Sequence, residues 1–188
     1  MPSWLNPFDI LIVFALIGGV IWGFTQGLVR MALSLVVLYL AVVLAMSFYE
    51  QVGQWILYLS GQGLPQEGAE LIAFLFILIL TTTVVNFALG RAFKDTELPA
   101  IRQIDQLGGL VLGFLLGATW ISIALVSLVY VMNTPGFGSD VFRANVLGYM
   151  RSSLLVPVFG DVWPIMVATL KPWMPKGELP AIFSFRLS

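Results

Sequence analysis

Few side chains in this sequence could do chemistry. Asp9 and Asp105 each open an apolar stretch, Arg30 begins another, and Asn86 and Thr81-Thr82-Thr83 lie inside a fourth. Polar and ionisable groups in such surroundings are costly to keep, so each needs a role. A guanidinium can pair with a carboxylate, and an amide can bond between helices. Arg30 and Asp105 are therefore expected to pair, with Asn86 donating or accepting a hydrogen bond between helices. The plainer reading makes Asp9 and Asp105 helix-start carboxylates, each beside the positive end of a helix dipole. Asp9 then marks the membrane edge opposite the other three. The Thr hydroxyls either return to carbonyls of their own helix or line a polar path.

Absent residues narrow the chemistry further. Histidine and cysteine do not occur, which excludes Cys/His zinc sites, haem and iron–sulfur ligation, a thiol nucleophile and a Ser-His-Asp triad. The chain has no Gly-rich phosphate loop with its Lys, no Gly-x-Ser-x-Gly elbow and no paired carboxylates within one helix. Asp140 and Asp161 read as solvated acids. No catalytic residue, metal or cofactor is expected. A net charge of −1 gives no electrostatic basis for binding nucleic acid.

The elements that must position these groups are membrane helices. Hydrophobic residues make up 59% of the 188 and charged residues 10%, with a mean hydropathy of +0.96. Soluble domains carry about 25% charged residues, so this chain cannot clothe a water-facing surface. Four spans are predicted, over residues 8–22, 28–48, 71–89 and 107–132. The first two cover roughly 40 residues, or about 60 Å of helix, twice a hydrocarbon core, so the chain must turn near residues 23–27. The N-terminus lacks a basic region and a small-residue cleavage site, and is expected to start an uncleaved first span. Arg30, Arg91, Lys94 and Arg102 lie at the first and third connectors, whereas the second carries Glu50, Glu67 and Glu70 and no base. The positive-inside rule then places the first and third connectors in the cytoplasm and both termini in the periplasm, against the pull of Arg143 and Arg151.

Glycines recur at spacing four in two spans, at Gly19, Gly23 and Gly27 and at Gly109, Gly113 and Gly117. That spacing stacks them on one helix face and leaves a strip without side chains, where two backbones can approach closely in lipid. Residues 18–27 echo residues 108–117, but the likeness covers one span only and reads as shared packing chemistry, not an inverted repeat.

Beyond residue 133 the composition shifts. Ser139-Asp140 resembles a helix N-cap, followed by Val141, Phe142, Val146, Leu147 and Met150 near one face and Arg143 and Arg151 on another. Residues 156–170 are apolar but broken by Pro157, Gly160, Asp161 and Pro164. Both are expected to lie at the bilayer surface, with Trp163 and Trp173 at interfacial depth, or else partly inserted. The expected fold is all-α and polytopic: four transmembrane helices with Gly-ladder packing (1–132), amphipathic interfacial helices (133–170) and a Pro-rich tail (171–188).

Several of these residues resemble the colicin V production protein (CvpA) family of bacterial inner-membrane proteins. Asp9 precedes an apolar span, and Gln26-Gly27-Leu28-Val29-Arg30-Met31-Ala32-Leu33-Ser34-Leu35 is similar to the family's Arg-Gly-Phe-x-Arg-Glu-x-Leu-Ser-Leu stretch. Val85-Asn86-Phe87 follows, then Asp105 with Gly109, Gly113 and Gly117, similar to Asp-Arg-x-x-Gly-x-x-x-Gly-x-x-x-Gly. The likeness covers residues 6–131. Gln26, Met31 and Gln106 stand where the family often has Arg, Glu and Arg, and Leu116 where an Arg often occurs, so no role of those charges carries over. The resemblance implies a non-enzymatic inner-membrane protein linked to colicin V production or export and to envelope homeostasis. Its partners would be the lipid bilayer and either further copies of the chain or an export machine. The alternative is a small channel or transporter.

Overall fold

The computed structural model describes residues 6–61, 63–92, 102–134, 139–170 and 172. These residues form six helices and are all-α: α1 (Pro7–Gln26), α2 (Leu28–Leu59), α3 (Gln66–Ala92), α4 (Arg102–Asn133), α5 (Asp140–Arg151) and α6 (Val156–Leu170). The first four are long and apolar enough to cross a membrane. Leu11, Phe14, Ile17, Ile21, Val36, Leu40, Phe76 and Ile79 are all exposed. An apolar surface of that extent suits acyl chains and not water.

The helices start and stop for local reasons. Asn6 caps α1 by accepting the Phe8 N–H at 2.9 Å, and Pro7 occupies the first turn, where a missing N–H costs nothing. The chain then reverses at one residue. Gly27 has φ 79° and ψ 170°, a backbone region essentially restricted to glycine, so α1 ends at Gln26 and α2 begins at Leu28. The expected turn therefore narrows to its last position, and Gly23 is helical.

The spans are longer than the sequence reading gave them. α2 runs on through Glu50 and Gly53 to Leu59, and Glu67 and Glu70 belong to α3. The second connector shrinks to residues 60–65, and Arg91 falls inside α3. Lys94 and most of the third connector lie outside the described residues, as do Trp173 and the tail apart from Pro172. The side chain of Trp163 is likewise outside them.

The four long helices pack as two antiparallel pairs, α1 with α4 and α2 with α3, joined through α2 and α4, while α1 and α2 barely touch. The pairs are filled differently. Between α2, α3 and α4 lies a side-chain core that includes Leu38, Met46, Phe74, Leu78 and Val126. Along the middle of α1 and α4 the backbones themselves meet. A Cβ built on Gly23 would overlap the Gly109 carbonyl oxygen and lie 2.7 Å from the Gly113 Cα. One on Gly113 would overlap the Gly19 oxygen, and one on Gly19 would come within 2.9 Å of the Gly113 oxygen. Gly117 is looser, with its nearest neighbour 3.7 Å away.

α5 and α6 fold back on the bundle at the end where α1 begins. Ser139 caps α5 by accepting the Phe142 N–H at 3.3 Å, as its sequence suggests. Met150 is buried with Ile12, Ile121, Leu125, Val156 and Phe159, whereas Val141 and Phe142 stay exposed. Further along α6, Val167 and Leu170 join the α2–α3–α4 core. The Tyr39 hydroxyl donates to the Thr169 carbonyl at 3.0 Å, so the end of α6 reaches the flank of α2. Arg143 donates from Nε to the Met132 carbonyl at 2.8 Å. Its charge therefore sits on the negative end of α4, a local reason for a base at this end of the bundle.

Candidate functional site

The two span-opening carboxylates cap helices other than their own. Asp105, in the first turn of α4, accepts the Leu28 N–H through Oδ1 at 2.9 Å. α2 needs this, because its N-cap residue, Gly27, has no side chain to offer. A Cβ at Gly27 would collide with the same carboxylate. Asp9, in the first turn of α1, accepts from the Ser153 hydroxyl at 2.5 Å and from the Leu155 and Leu154 N–H groups at 3.0 and 3.2 Å. Three residues earlier, Asn6 donates to the Tyr149 carbonyl at 2.7 Å and to Ser152 Oγ at 3.0 Å. Together they clamp the α5–α6 turn onto the start of α1. Each carboxylate meets the positive end of a helix dipole, as the plainer sequence reading has it, but the helix served is a distant one.

Between the two helix pairs, at the end holding the Gly27 turn, is a cavity of about 600 Å³. It falls within the range of about 300–1,000 Å³ typical of ligand pockets. Gln26, Arg30 and Asn86 line it, with Ser34, Thr82 and Thr83 deeper and Leu38, Leu116 and Trp120 deeper still. Arg30 Nη1 donates to Gln26 Oε1 at 2.6 Å across the Gly27 turn. The Ser34 hydroxyl donates to Asn86 Oδ1 at 2.9 Å, which ties α2 to α3. Asn86 Nδ2 donates back to the Thr82 carbonyl at 2.8 Å, and the Thr82 hydroxyl to Leu78 at 2.6 Å. The Arg91 guanidinium lies 4.2 Å from the centroid of the Phe87 ring, which also lines the cavity.

Arg30 and Asn86 thus share one cavity, while Asp105 engages the nearby α2 N-terminus. Ser34 and Gln26, which entered the sequence reading only through the family likeness, belong to the same cavity, as do Trp22 and Trp120, which that reading did not single out. Ser34 and Gln26 carried a signal as isolated polar residues beside apolar runs, whereas the two tryptophans had none apart from any other lipid-facing aromatic. Among the described residues, no group of three or more His, Cys, Asp or Glu side chains could hold a metal ion. Arg30 is the one ionisable side chain among the described lining residues.

Fold and site together define a multi-pass α-helical membrane protein built as two helix pairs around a polar-mouthed cavity. Residues 8–164 match the model of the colicin V production protein family, and the chain belongs to that family. The match extends past residue 131, where the sequence likeness ended, through α5 and into α6. No curated protein and no solved structure matches the chain.

Proposed function

We propose that this is a non-catalytic inner-membrane protein serving colicin V production or export and envelope homeostasis. It would work with a partner, either further copies of itself or a component of an export machine. Family membership over most of the chain carries this reading. The Ser34 and Thr82 hydroxyls in the cavity wall donate to Asn86 Oδ1 and to the Leu78 carbonyl, which suits a structural role for them. The proposed orientation puts the Gly27 turn and the third connector in the cytoplasm and both termini in the periplasm. Arg30 and Arg91 at that end support it, and the engagement of Arg143 by the end of α4 explains one base on the other side.

Deleting the gene in a colicin V producer and complementing it tests the role. Loss of extracellular toxin with normal intracellular toxin supports export; loss of both supports production; unchanged toxin in both compartments overturns the reading. Affinity isolation from native membranes identifies the partner. A second reading, a channel or transporter, draws on Thr82 and Thr83 in the cavity wall. Against it, Leu38 in the cavity lining is also part of the α2–α3–α4 core, where Phe74, Leu78 and Val126 are fully buried. Saturable solute flux in reconstituted liposomes, lost in Thr82→Leu, would restore it.

A further inference from the structure

The cavity has a polarity gradient along the membrane normal. Arg30 and Leu38 line it eight residues apart on α2, a separation of about 12 Å along the helix axis. Near the Arg30 end lie Gln26, Asn86 and Gly90; near the Leu38 end lie Leu116 and Trp120. Trp22 of α1 and Phe87 of α3 line it from opposite helix pairs and are 62% and 60% exposed. Both lie little more than a helical turn from the ends of their spans, at the depth where acyl chains meet headgroups. A polar mouth, an apolar floor and exposed apolar flanks are the complement of a molecule with a polar head and an acyl tail. Of the described charged groups at this end, Arg30 lines the cavity and Arg91 stacks on the Phe87 ring, while the Asp105 carboxylate is engaged by the Leu28 N–H. The neutral donors beside them suit phosphate oxygens.

We propose that this cavity is a binding site for an anionic phospholipid, with its phosphate headgroup at Arg30 and one acyl chain entering past Trp22 and Phe87 toward Leu38 and Trp120. The site does not depend on the toxin-related reading, which rests on the family alone. If the mouth faces the cytoplasm, the ligand comes from the leaflet that carries the negative surface potential.

The test is native mass spectrometry of the full-length protein in a neutral detergent. Phosphatidylglycerol, phosphatidylethanolamine with the same chains, or inorganic phosphate is added in turn. The site requires phosphatidylglycerol to bind about tenfold or more tighter than phosphatidylethanolamine, as expected for a charge-assisted contact. Inorganic phosphate alone should neither bind nor compete. Arg30→Gln should reduce phosphatidylglycerol binding to the level of phosphatidylethanolamine. Gly90→Trp should abolish binding of both lipids; a Cβ at Gly90 meets nothing within 4 Å, so the backbone there accepts a side chain, and an unchanged melting temperature is the control. Equal binding of the two lipids, binding of phosphate without a tail, or lipid binding untouched by Gly90→Trp would overturn the proposal. The last of these would mean that the lipids merely coat the apolar surface.

Discussion

The two helix pairs solve one problem by opposite means. α2 and α3 meet through large side chains, with Phe74 and Leu78 fully buried. α1 and α4 meet where side chains are missing, with Gly23 against Gly109 and Gly113. In water the first would draw most of its strength from burial of apolar surface. In lipid that driving force between helices is absent, and both interfaces rest on dispersion and fit. What separates them is tolerance. A side-chain core can lose atoms and leave a void, whereas a backbone contact cannot gain an atom without moving a helix.

The largest effect is expected from Gly23→Leu, since its Cβ alone overlaps a carbonyl of α4. It should separate α1 from α4, cost about 3 kcal/mol or more, and remove the monodisperse peak in detergent gel filtration. Phe74→Ala should cost about 3 kcal/mol, at the low end of the range for soluble cores because lipid replaces water as the reference. That protein should still assemble, with a lower melting temperature. If Phe74→Ala proves the more damaging, the contrast between the two interfaces is wrong.

Asp9→Ala removes a charged acceptor of three hydrogen bonds and should cost about 2 kcal/mol locally. The expected readout is faster proteolysis between α5 and α6 while the four spans stay protected. Asp105→Ala should cost about 1 kcal/mol, the usual value of a lost N-cap. Thermal melts of this variant, Arg30→Ala and the double mutant should give additive losses if Arg30 and Asp105 serve separate partners. At the small end, Gly117→Ala should fall within about 0.5 kcal/mol of the parent, because its added Cβ meets only ordinary contacts. A large loss there would show that α1 and α4 sit closer than described.

The centres of the spans were legible in the sequence because hydropathy sets them. Their ends were not, since Glu50 lies within α2 and Glu67 and Glu70 within α3 without stopping either helix. The bare strips were legible as a spacing of four, but spacing cannot say which helix a strip faces. The glycine turn showed as a region, and its single pivot required the backbone angles of Gly27. Of the cavity, Arg30 and Asn86 stood out as polar residues in apolar runs. Trp120 did not, because its place depends on which helices adjoin. The Asp9 clamp was illegible for a similar reason: its partners lie more than 140 residues away along the chain, and only the return of α5 and α6 to the start of α1 brings them together.

The near absence of contact between α1 and α2 bears on how the protein is made. Synthesis from the N-terminus delivers α1 first, yet the helix it must adhere to begins more than ninety residues after α1 begins. At roughly 5–20 residues per second, the ribosome leaves that first segment waiting for roughly 5 to 20 s. Throughout that interval its exposed glycines stand open to any passing helix, so nascent chains stalled before α4 should be where insertion factors are found attached.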